Sequence, residues 1–188
     1  MKTRDECLKL LHEYTKSESL LKHAYCVEAA MREAAKLPDS KCSPEDVELW
    51  GLTGLIHDFD YEKYPDAPDH PIKGSEILKA EGFPDNVINA ILGHAAYTGI
   101  IRETSMAKWL FALDELCGFV IAVALVRPDF LDSVEVKSVK KKLKDKAFAR
   151  SVSREDIYKG AEELNMDLGD LIQFTINALK NNKENIGF

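Results

Sequence analysis

Residues 51–62 read GLTGLIHDFDYE, an apolar stretch that ends in the adjacent pair His57-Asp58. The pair follows Leu55 and Ile56 directly, so an imidazole and a carboxylate leave the end of a predicted helix with an apolar side. Such a pair offers a nitrogen and an oxygen to one metal ion, and the second carboxylate oxygen is free to bridge to another ion. This stretch therefore predicts a buried helix end that carries a metal-binding pair.

Three more of the 5 histidines lie in comparable positions. His23 falls on the apolar face of a predicted helix, His70 opens another helix, and His94 follows an apolar run. A buried imidazole without a partner costs about 1–3 kcal/mol. Any one of them alone is more simply a hydrogen-bonded core or surface histidine. The four together favour a shared metal site, whereas His12 is expected at the surface.

Asp114 lies in the stretch LFALDELCGF, residues 110–119, where apolar residues flank an acid inside a predicted helix. A buried carboxylate needs a cation or hydrogen-bond donors. Taken alone, Asp114 is more simply a solvent-facing helix charge. Considered together with the histidines, it is a candidate metal ligand.

The order of a helical His, then His-Asp, then a late helical Asp resembles the HD-domain phosphohydrolase superfamily. Here the helical His is His23 in LLKHAYCVEAAM, and the resemblance runs from about Leu20 to Pro128. The segments DHPIKGSEIL, with His70, and AILGHAAYTG, with His94, are similar to the extra histidine segments of the two-metal branches. The resemblance therefore implies one or two divalent transition-metal ions.

The resemblance also implies which residues hold each ion. The first ion is assigned to His23, His57, Asp58 and Asp114, and the second to Asp58, His70 and His94. His57 and Asp58 are the implied catalytic pair, with metal-activated hydroxide as nucleophile. Imidazole and carboxylate ligands favour Fe or Mn, and leave Zn, Ni and Co open.

The implied substrate is anionic, so positive side chains are expected near the site. The candidates are Lys73, close in sequence to His70, and Arg127, just after the helix that carries Asp114. The run Lys137 to Lys146 is more often a solvated helix face than a substrate contact.

Several positions depart from the cyclic-dinucleotide branch of the superfamily. Tyr61 stands where that branch has a lysine, Ala95 follows His94 where a second histidine is usual, and the Gly-Tyr-Pro element is missing. Ser19 replaces a glutamate one turn before His23, which argues against a third metal. These differences disfavour cyclic-dinucleotide hydrolysis.

The expected function is metal-dependent hydrolysis of a small phosphorylated molecule, a nucleotide or dinucleotide, by a phosphomonoesterase or phosphodiesterase. One alternative is a non-catalytic HD scaffold that binds a nucleotide or a partner protein. Another is a helical interaction domain without metal. The presence of all six ligand residues favours the enzyme.

Composition sets limits on partners and location. The 188 residues are 45% hydrophobic and 30% charged, and the net charge of -7 disfavours binding to duplex nucleic acid. No secretory signal or membrane anchor is expected, since the longest apolar run, Leu116 to Val126, falls short of the ~20 residues that span a bilayer. The four cysteines lack Cys-x-x-Cys spacing, which favours reduced thiols and a cytoplasmic protein. The oligomeric state stays open.

Apolar residues recur at intervals of three and four throughout, which predicts an all-α fold. We expect a compact HD-domain helical bundle with additional C-terminal helices, as a single domain over 1–188. The HD-like core covers about 18–128 and the C-terminal extension about 133–185. The predicted helices are Arg4 to Tyr14, Glu18 to Leu37, Pro44 to about His57, Asp69 to Gly82, Pro84 to Gly93, Ser105 to Val126, and two closing helices that start near Ser153 and Asp167.

Overall fold

A computed structural model describes residues 2–187. This range is built from α-helices joined by turns and short 3-10 segments, and it contains no β-strand. The all-α prediction is confirmed. The helices are α1 Arg4–Tyr14, α2 Glu18–Ala35, α3 Pro44–Ile56, α4 Asp69–Ala80, α5 Asp85–His94, α6 Ser105–Leu125, α7 Val136–Leu143, α8 Arg154–Glu163, α9 Leu168–Asn181 and α10 Lys183–Ile186.

Five of the described helices, α1, α3, α6, α8 and α9, begin at a residue whose side chain accepts a backbone N–H of the first turn. At α3, the Ser43 hydroxyl accepts the backbone N–H of Asp46 at 3.2 Å, and the Asp46 carboxylate accepts the Ser43 N–H at 2.9 Å. Ser153 and Asp167 accept backbone N–H groups at the starts of α8 and α9 in the same way. These caps satisfy donors that the first helical turn leaves free, and so fix the helix starts.

The start of α4 differs from the prediction. The sequence suggests Asp69 as the cap of this helix, but its carboxylate pairs with the ammonium of Lys73 at 2.6 Å instead. His70 has a φ of -81° and a ψ of 137°, outside the helical region. A residue before proline is pushed towards extended backbone, and Pro71 follows. His70 therefore sits at the junction between the preceding loop and the regular part of α4.

Helix α6 is the centre of the bundle and packs against α2, α5, α8 and α9, while α2 packs against α3. Leu110, Leu113, Leu116 and Phe119 on α6 are fully buried. Asp114 thus lies on a helix that is surrounded by others on most sides. No helix among residues 2–187 is both long and apolar enough to cross a bilayer.

Candidate metal centre

Six predicted ligand residues arrive at one place from separate elements of the bundle. The structure forms two groups of side chains whose ligand atoms lie within 4.8 Å of one another, with Asp58 in both. The first ligand group consists of His23, His57, Asp58 and Asp114, and the second ligand group of Asp58, His70 and His94. The bundle therefore assembles the complete predicted set.

In the first ligand group, the nitrogen and oxygen atoms converge on one point. The Nε2 atoms of His23 and His57 are 3.3 Å apart, and they lie 3.0 and 3.3 Å from Asp114 Oδ1. Asp58 Oδ2 is 3.4 Å from His57 Nε2 and 3.7 Å from His23 Nε2. Two carboxylates and two imidazoles thus share this point.

The other carboxylate oxygen of Asp58 faces the second ligand group. Asp58 Oδ1 lies 3.2 Å from the Nε2 atoms of both His70 and His94. Those two nitrogens are 3.3 Å apart. Since each oxygen of Asp58 belongs to a different group, its carboxylate is placed to bridge two ions.

Hydrogen bonds on the far side of three rings fix their tautomers. His57 Nδ1 donates to the carbonyl of Gly54 at 2.8 Å, His94 Nδ1 donates to the carbonyl of Ile91, and His70 Nδ1 lies 2.8 Å from a carboxylate oxygen of Asp60. Because Nδ1 carries the proton, the Nε2 atom of each neutral ring presents a lone pair to the centre. This is the usual arrangement behind metal-binding histidines.

Whether these residues suit a metal can be judged from the surroundings of the buried Oδ1 atom of Asp58. Asp58 Oδ1 has no hydrogen-bond partner among the described residues, although two imidazole nitrogens lie nearby. A buried carboxylate oxygen is costly when it is left unpaired. A divalent cation between the lone pairs and the carboxylates would remove that cost, and the donor set is one that first-row transition metals prefer. The residues fit a metal.

The raised pKa values of two histidines show that the cluster favours positive charge. Burial disfavours charge on His57, but the carboxylate charge of Asp58 and a hydrogen bond to Asp114 outweigh it and raise the pKa of His57. At His70, burial is likewise outweighed by the nearby carboxylate of Asp58 and the hydrogen bond to Asp60, which raise its pKa to about 9. Metal ions would replace the protons that these rings otherwise bind.

Asp60 is a functional residue that the sequence analysis missed. Its side chain is completely buried; Oδ1 accepts from His70 Nδ1 at 2.8 Å and Oδ2 accepts from the Gly74 backbone N–H at 2.9 Å. It therefore holds the His70 ring from behind. The feature of the sequence that could have indicated it is a second acid two positions after Asp58, between two aromatic residues.

Two tyrosines also contact His70. The Tyr61 ring packs edge-on against the His70 ring, with centroids 5.2 Å apart, and the Tyr97 hydroxyl donates to the His70 backbone carbonyl. Tyr61 entered the sequence analysis only as a departure from a family pattern. In the structure, both tyrosines help position a candidate ligand and line the cleft beside it.

The ligands open onto a cleft of about 450 Å³. Its remaining walls include Tyr61, Tyr97, Phe111, Glu115 and Asp156. Burial and the neighbouring charge of Asp114 raise the pKa of Glu115 to about 8, and its carboxylate accepts the Ser153 N–H at 3.1 Å. Within the described part of the chain, no lysine or arginine lines this cleft.

The predicted cationic contacts are not brought to the cleft. Lys73 is exposed and pairs with Asp69, and Arg127 follows the end of α6, whose axis runs roughly 16 Å from Asp114 to Leu125 at 1.5 Å per residue. Within the run Lys137 to Lys146, no residue lines the cleft. These side chains were chosen for their closeness in sequence, and helix direction and local ion pairing place them elsewhere.

The fold and this cluster together define an all-helical protein with histidine and aspartate side chains that could hold a metal. Comparison with protein families gives the same class: a model of the HD domain matches residues 20–115, which is more than half of the chain. The chain belongs to the HD domain family. HD domains bind divalent metal ions, and the family consists generally of metal-dependent hydrolases.

One curated relative is a tRNA (cytidine(56)-2'-O)-methyltransferase from Picrophilus torridus. It is 30% identical over 99 residues, which cover 53% of this chain and 27% of the relative. The aligned part of the chain thus spans about a quarter of that protein's length. No solved structure matches the chain significantly.

Proposed function

We propose that the protein is a metal-dependent phosphohydrolase that acts on a small phosphorylated molecule, with nucleotides as the first candidates. The observation that supports this most strongly is the position of Asp58, whose two carboxylate oxygens face two separate sets of imidazole nitrogens. Phosphoryl transfer is one of the reactions that paired ions around a bridging ligand promote.

Divalent ions bound at this centre would supply a water-derived nucleophile and stabilise negative charge on the phosphoryl oxygens. The chain's own part is positioning. Asp58 holds the two ligand groups together, and the carbonyls of Gly54 and Ile91 keep the Nε2 atoms of His57 and His94 turned inward. Asp60 does the same for His70. Fe and Mn are the ions that we propose first, with Zn, Ni and Co as alternatives.

The composition of the cleft narrows the proposed substrate. Glu115 and Asp156 lie on its wall, and no lysine or arginine is among its described lining residues. Phosphate groups away from the ions would therefore meet acidic side chains without a compensating cation. This favours a phosphate monoester with an uncharged leaving group over a dinucleotide that carries several phosphates.

A second candidate function is a non-catalytic HD module that binds a nucleotide or a partner protein. The similarity to part of a protein named for another activity, tRNA methylation, supports keeping this alternative. The complete ligand set favours catalysis, because a binding module has no need of paired metal ligands. We further propose a reducing, cytoplasmic environment, which suits four free cysteines.

One assay distinguishes the two candidate functions. Protein loaded with Mn²⁺ or Fe²⁺ is incubated with nucleoside monophosphates, dinucleotides and p-nitrophenyl phosphate, and released phosphate is measured. We expect metal-dependent phosphate release by the wild type and by Asp66→Asn, an exposed control, but not by Asp58→Ala. Tight binding of a nucleotide by metal-loaded protein, with no hydrolysis of any compound, would support the non-catalytic module instead.

A further inference from the structure

Gly118, on α6, has no structural reason to be a glycine. A side chain at most helical glycines would clash: a Cβ would come within 2.8 Å of a neighbouring atom at positions 51, 54, 74, 160 and 169, and within 3.1 Å at 93. Positions 82, 99 and 187 have positive φ, which favours glycine. At Gly118 the nearest atom would be His23 Nδ1, at an ordinary 3.8 Å.

Glycine is nevertheless unfavourable inside a helix, where alanine would be the better residue. Neither the backbone nor the packing of α6 calls for it at position 118. What it does provide is open space next to the ring of His23, a candidate metal ligand. The absence of a side chain therefore points to something that passes this position.

Two cavities meet at Gly118. Gly118 and His23 line the cleft of the metal centre, and both also line a second depression of about 390 Å³ between α2 and α6. We call this depression the α2/α6 groove. Ile121, Ala122 and Leu125 form much of its lining, and Leu125 is 58% exposed. Glu18, Ser19 and Lys22 complete the lining, whose exposed surface is still mostly apolar. The groove thus adjoins the cleft at Gly118 as a mainly apolar depression.

We infer that the substrate extends from the metal centre past Gly118 into the α2/α6 groove, and that its part in the groove is uncharged and apolar. The inference rests on the proposed phosphohydrolase function and names its substrate class: a phosphate ester of an aryl or alkyl alcohol, or of a nucleoside whose base lies in the groove. Apolar walls gain from covering apolar surface. Lys22 and Glu18 both line the groove, so it offers a second phosphate no net positive charge to replace its hydration.

Because the two cavities share Gly118 and His23 in their lining, a small molecule is favoured over a macromolecule in the groove. A second copy of the chain would cover Leu125 without needing the narrow space beside His23. A substrate anchored at the metal centre would need that space, since its leaving group must pass the ring. The glycine is explained only by the second case.

The test compares a short and a long ester, ethyl phosphate and hexyl phosphate, with the Mn²⁺-loaded full chain. We expect wild-type kcat/KM to favour hexyl phosphate by at least about tenfold, as apolar pockets discriminate on this scale for each added methylene. Gly118→Ala should reduce that preference and Gly118→Val should abolish it. Metal content should stay near wild type in both variants, and Val126→Ser, which lies outside the groove, should keep the wild-type rates with both esters.

Binding provides a readout that does not depend on turnover. Hexylphosphonate, measured by calorimetry, should bind about tenfold more weakly to Gly118→Val and to Leu125→Ser. Val126→Ser is the matched control, because Val126 is 62% exposed beside Leu125 but does not line the groove. Unchanged chain-length preference and phosphonate affinity in both groove variants would overturn the inference.

Other outcomes are equally decisive. If Leu125→Ser converts a dimer to a monomer without altering the preference for hexyl phosphate, the groove is an interface between copies and the inference is wrong. If the wild type hydrolyses neither ester, the proposed function fails. Phosphonate binding that still depends on Gly118 would in that case support the groove as a ligand site by itself.

Discussion

The two ligand groups that share Asp58 are built in different ways. In the first ligand group, His23 and Asp114 come from within two long helices, α2 and α6, that pack against each other in the centre of the bundle. In the second, His70 lies at the irregular start of α4 and His94 is the last residue of α5. The positions of the first group's ligands are set by the packing of two central helices. Those of the second group depend on contacts that fix the ends of α4 and α5.

Charge and burial also differ between the groups. The first has two carboxylates, Asp58 and Asp114, whereas the second has only the shared Asp58. The burial of the imidazoles differs as well: His70 and His94 are 7% and 6% exposed, whereas the first group combines the fully buried His57 with His23 at 18%. Since a second carboxylate strengthens attraction for a divalent cation, we expect the first group to fill first.

Removing the shared carboxylate should have the largest effect. In Asp58→Ala, both groups lose a ligand, so affinity for both ions should fall by well over about 100-fold, because loss of a partner behind a ligand already costs about 10–100-fold. Metal content and phosphate release report the change. Asp66→Ala, an exposed acid in the following loop, should match the wild type. Equal metal content in the two variants would show that Asp58 does not bridge.

Single histidine changes should separate the groups. His94→Ala should leave the tighter binding step intact and abolish the weaker one, whereas His23→Ala should weaken the tighter step. The steps are resolved by calorimetric titration of metal-free protein with Mn²⁺. His12→Ala is the control, because His12 is an exposed histidine outside both groups. If His94→Ala and His23→Ala weakened the same binding step, the cluster would hold one ion.

Asp60→Asn should affect the second group alone. An asparagine amide keeps one acceptor for the Gly74 N–H but turns a donor towards His70 Nδ1, so the ring loses its orientation. We expect about 10–100-fold weaker binding in the second step and a loss of about 1–3 kcal/mol in the free energy of unfolding in urea. If Asp60→Asn weakened the first metal-binding step as much as the second, the two ligand groups would not be separate sites.

The smallest effects are expected at the predicted cationic contacts. Lys73→Ala removes an exposed ion pair with Asp69 and a contact of the ammonium with the Tyr64 ring, so the stability change should stay below about 1 kcal/mol. Neither Lys73→Ala nor Arg127→Ala should alter the KM for a phosphate monoester, because neither side chain lines the cleft. A several-fold rise in KM with either variant would restore the substrate contacts expected from the sequence.

The sequence was sufficient to predict the all-α class and the six residues that converge. Each candidate ligand carries a weak local signal, a polar group beside apolar residues at a helix face or end, and the resemblance to the HD superfamily joins these residues into one set. Asp60 escaped because its partner, His70, comes ten residues later, beyond a proline-containing loop whose path the sequence does not specify.

The walls of the cleft were also beyond prediction. Which face of α6 meets the cleft depends on how α8 packs against it, and that packing brings Glu115 next to Ser153. Lys73 was expected near the site because it follows His70 by three residues. Its ammonium instead pairs with Asp69, one helical turn back, an interaction that local spacing permits but does not require.

The most direct test of the account is the metal content of wild-type protein purified without chelator and then loaded with Mn²⁺, measured by inductively coupled plasma mass spectrometry. Two ligand groups that share Asp58 predict a ratio approaching about two ions per chain. Fewer than about one ion for every two chains, with no change in Asp58→Ala, would contradict the metal centre itself.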